Sequence, residues 1–256
     1  MEAIILIAVF GLVWGSFYNV VIYRLPRGLS LLRPPSSCPH CGKQIKVYEN
    51  IPVFSYLVLK GKCGNCKAKI SPVYPLVETL TAFCFLLVYR QYSLSPHFFA
   101  SCIFASVLIV LGFIDYYHQI LPDEITLPGF ALALIYTFFR DDLNLVQALL
   151  GAGVGAGFLL LVYGVYYLLR KKEGLGLGDV TMMLMVGAYL GWKQTLLTLI
   201  LASFAGAVVG VFFILFRKKD LQHALPFGTF LAPAAFVALL YGQQIIDAYL
   251  SLYKQP

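Results

Sequence analysis

Two carboxylates and four thiols stand out from an otherwise apolar chain. Asp115 follows the apolar run 97–114, and Asp179 heads another apolar stretch in Gly176-Leu177-Gly178-Asp179. Carboxylates at membrane depth are costly to bury and usually mark function. Two that share a site cannot both ionise easily, so one keeps a proton while the other stays charged. Such a pair can deprotonate a water and protonate a leaving amine, which is peptide hydrolysis by general acid–base catalysis. A plainer account is open as well. Asp179 suits a helix N-cap, its carboxylate bonding the first free N–H groups, and Asp115 suits an interfacial residue with its head in water. Asp123, in Leu121-Pro122-Asp123-Glu124, reads as the N-cap of a helix starting near Ile125. Glu78, inside the stretch 73–89, is a further acidic candidate for a supporting or cofactor-site role.

The thiols fall into two turns, Cys38-Pro39-His40-Cys41 and Cys63-Gly64-Asn65-Cys66, separated by 21 residues. Each C-x-x-C turn lets two thiolates point at one metal, and two turns complete a tetrahedral four-sulfur site. A zinc ion so enclosed has no open coordination position, so its expected role is structural. Two disulfides are the competing account, disfavoured in a reducing cytoplasm. With four cysteines available, His40 is expected to face solvent. Cys84 and Cys102 lie in apolar stretches and read as small buried hydrophobes.

The elements that must position these groups are membrane helices. The chain has 256 residues, 60% hydrophobic and 12% charged, with a mean hydropathy of +0.80. Soluble domains carry about 25% charged residues, and a membrane helix needs about 20 apolar ones. Spans are expected near 3–23, 73–89, 97–114, 125–139, 146–169, 175–192, 195–216 and 226–249. The expected fold is an all-α polytopic membrane protein, a bundle of about eight transmembrane helices with a cytoplasmic zinc-binding loop. It divides into a first transmembrane helix (1–23), the four-cysteine loop (24–72) and a transmembrane core (73–256). The first stretch has no basic n-region and carries Trp14 and Asn19, so it reads as a retained helix rather than a signal peptide. From Val180 to Trp192 there are only thirteen residues, about 20 Å of helix. That helix is expected to begin within 174–178 or to meet a thin bilayer.

The net charge of +7 follows this topology. With spans alternating in direction, fifteen of the 19 Lys and Arg residues fall on one side, the side of 24–72. That asymmetry is the positive-inside signal; it puts the N-terminus outside and the loop in the cytoplasm. A nucleic-acid patch would not alternate with helix parity, so no nucleic-acid partner is expected. Gly151, Gly153, Gly155 and Gly157 weakly resemble a dinucleotide fingerprint, but no strand precedes them. Small residues spaced by four instead suit close helix packing, and Gly206 with Gly210 repeats the pattern. A transporter would show inverted repeats and acids staggered through the bilayer. Here Asp115, Asp123 and Asp179 collect at one face, which favours chemistry at a surface ledge.

The residues also carry a family resemblance over nearly the whole chain. Gly15-Ser16-Phe17-Tyr18-Asn19 leading to Tyr23-Arg24-Leu25-Pro26, the two C-x-x-C pairs, Asn50-Ile51-Pro52 and Tyr74-Pro75-Leu76-Val77-Glu78 resemble the N-terminal part of the type IV prepilin peptidases, which are GxGD aspartyl proteases. Asp115 with Leu121-Pro122-Asp123, then Gly176-Leu177-Gly178-Asp179, resemble that family's two active-site motifs, and Pro226-Phe227-Gly228 a further element. The resemblance implies a bacterial inner-membrane enzyme, active at the cytoplasmic face, that cleaves short basic leaders from prepilins or pseudopilins of type IV pilus and type II secretion systems. It also implies N-methylation of the new terminus from S-adenosylmethionine; the alternative is a peptidase alone. Asp115 and Asp179 are then catalytic, Cys38, Cys41, Cys63 and Cys66 the zinc ligands, and Asp123, Glu78, Gly176 and Gly178 supporting residues. Two positions depart from the pattern: Thr181 stands where Lys is common, and Thr229 where Pro often follows Pro-Phe-Gly. Neither removes a catalytic group, so both bear on rate or substrate detail.

Overall fold

The computed structural model describes residues 2–171, 176–217 and 226–253. Its helices are α1 (Glu2–Arg24), α2 (Phe54–Val58), α3 (Val73–Tyr92), α4 (Pro96–His118), α5 (Asp123–Tyr136), α6 (Leu145–Arg170), α7 (Leu177–Leu190), α8 (Trp192–Arg217) and α9 (Gly228–Tyr253). Each expected span is a helix, and α2 is an additional short one within the loop. Among the described residues, six helices are long and apolar enough to cross a membrane. The other two apolar ones, α5 and α7, have 14 residues each, about 21 Å of rise. As the sequence suggests, α7 begins within 174–178, at Leu177. Lys172, Lys218, Lys219 and Lys254, which entered the charge count, lie outside the described residues.

The chain separates into two compact units, Met1–Val110 and Leu111–Pro256. In the first, α1 lies along α3 with Gly15 so close that an added Cβ would sit 2.6 Å from Glu78 Cα. Tyr18 satisfies its buried hydroxyl by donating to Ser106 Oγ at 2.6 Å. Residues 24–72 carry two matched turns, each closed by an antiparallel bridge, Ser37 with Gln44 and Lys62 with Lys69. In both, the residue after the second cysteine is left-handed: Gly42 at φ 67° and Lys67 at φ 61°. Cys84 and Cys102 are buried and His40 is exposed, as expected.

The second unit is organised around α7, whose Met182, Met183, Met185, Val186 and Ala188 are buried almost completely. Its neighbour α6 comes into backbone contact. A Cβ added at Gly187 would lie 2.2 Å from Gly151 O, and one at Gly151 2.2 Å from Gly187 O. Gly155 lies against Met183 and Thr195, whereas Gly153 and Gly157 face open space. The close-packing role read from the sequence therefore belongs to one face of the glycine series. At the far end of α7, Arg140 lies over the stacked rings of Tyr136 and Tyr189 and donates to Tyr189 O at 2.8 Å. That clamp joins the last turns of α5 and α7, the end opposite Asp179.

Candidate active site

Asp115 lies one turn before the end of α4. Its carbonyl accepts the N–H of Gln119 at 2.8 Å, and Gln119 turns left-handed at φ 54° to end the helix. The chain passes Leu121 and Pro122 and enters α5, so Asp115 is held by a regular helix rather than by a loop. Asp179 is the third residue of α7. A Cβ at Gly178 would fall 2.8 Å from Leu121 Cβ, so only glycine lets the start of α7 press against this connection. The two side chains are 5% and 6% exposed, and they interact electrostatically with each other. The two carboxylates predicted to share a site therefore do so, on α4 and α7.

A third element completes the site. Helix α9 starts at Gly228, and a Cβ there would lie 3.0 Å from Asp115 Oδ2. The Thr229 backbone N–H donates to Asp115 Oδ2 at 2.7 Å, and its hydroxyl approaches the same oxygen at 3.1 Å. The Gly228 amide interacts with both carboxylates. Free N–H groups at a helix N-terminus favour negative charge, so this end of α9 is built to receive a carboxylate. On the other side, Asp179 Oδ1 is buried without a hydrogen-bond partner among the described residues. A buried acceptor left bare costs about 1–3 kcal/mol, and such an atom in a native fold points to a water, ion or substrate.

The plainer reading of Asp179 as an N-cap does not hold. Gly176 occupies the N-cap, in extended conformation and with no capping side chain, and Leu177 and Gly178 are already helical. Gly176 instead turns its amide toward the Asp179 carboxylate. Asp123 is corrected likewise. Pro122 is the N-cap of α5, because Ile125 and Thr126 N–H already bond to Pro122 O at 3.1 and 3.2 Å. The exposed Asp123 accepts the Thr181 hydroxyl at 2.9 Å, and Thr126 donates to Thr181 at 3.1 Å. These bonds tie the start of α5 to α7 beside the aspartate pair.

Glu78 belongs to the first unit, 7% exposed. Its Oε2 accepts the Val53 N–H at 2.7 Å, and it bonds Ser16. Val53 is left-handed at φ 60°, an outlier for a β-branched residue, and Glu78 holds the turn that contains it. In the same unit Cys38, Cys41, Cys63 and Cys66 converge, with all four sulfurs within 4.8 Å of one another and Cys38 Sγ 3.8 Å from Cys66 Sγ. A tetrahedral ion with metal–sulfur bonds of about 2.3 Å holds its sulfurs about 3.8 Å apart. The Cys66 and Asn65 backbone N–H groups bring the Cys63 thiol down to about 6, whereas burial and the neighbouring cysteine sulfurs push Cys66 up to about 11, so Cys63 is the first of the two to become a thiolate. The four residues therefore fit a tetrahedral metal.

Gly228 and Thr229 are the site residues that sequence reasoning missed as Asp115 partners. The available signal was Pro226-Phe227-Gly228 ahead of an apolar run, which marks a helix start with free N–H groups on the same membrane side as Asp115.

Comparison with known proteins identifies the family. Residues 9–92 match the bacterial peptidase A24 N-terminal domain, and residues 102–211 match the type IV leader peptidase family. The chain is 39% identical to a prepilin leader peptidase/N-methyltransferase of Pseudomonas putida, the match covering 97% of this chain and 94% of the relative. It is 40% identical to one of Stutzerimonas stutzeri, over 96% and 93%. It is 41% identical to one of Myxococcus xanthus, over 81% and 62%. No solved structure matches the chain.

Proposed function

The chain belongs to the type IV leader peptidase family, and from that premise we propose that it cleaves the basic leader of a prepilin or pseudopilin, with Asp115 and Asp179 as its catalytic pair. The observation that carries this reading is the meeting of two buried carboxylates at the amide end of α9, one of them with an oxygen left bare. One carboxylate takes a proton from water while the other supplies one to the substrate. The charge asymmetry supports an inner-membrane protein with its N-terminus outside and the aspartate pair at the cytoplasmic face.

Methylation of the new terminus is proposed from the names of the relatives, which pair leader peptidase with N-methyltransferase. S-adenosylmethionine, when bound, supplies an electrophilic methyl group to the freed amine. Both steps are tested by incubating purified protein with a prepilin and isotope-labelled methyl donor, then weighing the products. Loss of the leader and gain of one labelled methyl group is the expected result. Cleavage without label would make the protein a peptidase alone, and an intact prepilin would overturn the reading.

The four-cysteine cluster is proposed as a structural zinc site, since four sulfurs leave no coordination position for substrate. Replacing Cys38 with Ser is expected to lower zinc from about one per chain to a small fraction, and to make residues 24–72 sensitive to protease. Elemental analysis checks the first effect and limited digestion the second. Unchanged zinc would remove the assignment.

A further inference from the structure

Resting on the catalytic reading of the aspartates, we infer that Thr229 divides the labour between them, holding Asp115 as the charged base and leaving Asp179 to carry the proton. Thr229 is a positioning residue, because it acts through Asp115. The asymmetry lies in the donors. Asp115 Oδ2 takes the Thr229 N–H at 2.7 Å and is within 3.1 Å of its hydroxyl. The hydroxyl has one alternative acceptor, Gly112 O at 3.3 Å, but the carboxylate is nearer and the charged partner bonds more strongly. Asp179 meets the amides of Gly176 and Gly228 but, among the described residues, has no donor at its Oδ1, which is buried. A group hydrogen-bonded in its charged form keeps that form, and a bare buried carboxylate oxygen accommodates a proton. Among the described residues, Asp179 on α7 is the titratable group seen to interact with Asp115 from another helix. From α9, Asp115 meets only the amides of Gly228 and Thr229 and the Thr229 hydroxyl. Tyr116, Tyr117 and His118 follow it on its own helix.

The reaction balances with these assignments. A water oxygen attacks the scissile carbonyl carbon as Asp115 takes one water proton. Asp179 gives its proton to the carbonyl oxygen, producing a neutral diol. The C–N bond then breaks, the leaving nitrogen takes the proton from Asp115, and one diol proton returns to Asp179. The pair ends as it began. A proline at 229, the residue common in the family pattern, has neither N–H nor hydroxyl. By this account the chain stabilises the charged Asp115 with two donors that such a relative lacks.

The test is the pH profile of kcat/KM for prepilin cleavage, whose acidic limb reports ionisation of the base in the free enzyme. Thr229→Val keeps the N–H and removes the hydroxyl. Its acidic limb is expected to move to higher pH by about one unit, a tenfold change in proton affinity. Thr229→Ser should restore the wild-type limb, and Thr229→Pro should move it further than Val. If the Val protein misfolds, Thr229→Ala removes the same hydroxyl and should show the same displacement. Limbs that coincide in wild type and in the Val or Ala variant would overturn the role of Thr229. Asp115→Asn and Asp179→Asn, run beside them, separate the two ideas. Cleavage surviving either change sinks the catalytic reading itself, whereas two inactive variants with unmoved Thr229 limbs sink this inference alone.

Discussion

Asp179→Asn is expected to stop leader cleavage while leaving the protein folded, with kcat/KM falling at least about a thousandfold. Asparagine has nearly the shape of aspartate but cannot carry the proton back and forth. Its effect on the fold should be small. Asp179 Oδ1 is buried without a hydrogen-bond partner among the described residues, and asparagine places a group of nearly the same size in the same surroundings. Asp179 carries the proton and is neutral in the resting protein, and an amide is neutral too, so the variant should melt close to the wild-type temperature. Activity lost together with a large drop in melting temperature would mean that Asp179 is structural. Asp115→Asn should be equally inactive, because an amide oxygen still accepts from Thr229 but takes no proton from water. Cleavage by single-turnover assay, paired with thermal melting in detergent, decides between these outcomes.

The second large effect is expected far from the carboxylates. Gly187 follows Asp179 on α7 by eight residues, about 12 Å along the axis. A Cβ at 187 would meet Gly151 O at 2.2 Å, Gly151 C at 2.4 Å and Ala152 N at 2.6 Å. These are backbone atoms and cannot swing aside, so α6 and α7 must separate. Gly187→Val should therefore cost about 3 kcal/mol or more, lower the melting temperature and reduce cleavage at least tenfold as Asp179 shifts against Asp115. Gly153→Ala, on the same helix as Gly151, meets nothing within 4 Å. It should be neutral or slightly stabilising, since alanine is the better helix former by about 1 kcal/mol. Equal behaviour of the two variants would show that backbone contact between α6 and α7 is not what fixes the site.

The helices and the aspartate pair were legible because lipid leaves a strong record in sequence. Long apolar runs have one spanning solution, and a carboxylate near the end of one has few uses. Helix starts were less legible. Asp123 and Asp179 both look like caps, yet α5 begins at Asp123 behind Pro122 and α7 begins at Leu177 behind Gly176. In each case a backbone carbonyl or glycine had already begun the turn. The partners of Asp115 were legible only as a helix start on the same membrane side, since Thr229 lies 114 positions away and helix parity gives a side but no distance. Thr181 and Thr229, noticed only as departures from a pattern, each donate a hydrogen bond to an acidic residue of the site region. A single sequence shows that a residue is unusual there; only packing shows what it touches.

The matched turns at Ser37–Gln44 and Lys62–Lys69 amount to one small unit used twice. A metal joining them would act on the chain as a cross-link, fastening two points with 21 residues between Cys41 and Cys63. Closing a segment of that length ahead of folding removes about 3 kcal/mol of loop entropy from the unfolded state on the simplest account. Between the fastened points lies Val53, whose left-handed turn meets Glu78. A strained turn is affordable only where the freedom to escape it has already been taken away. With a metal bound, the cysteines would act at a distance from their own sulfurs, by keeping the Val53 turn within reach of the carboxylate that holds it.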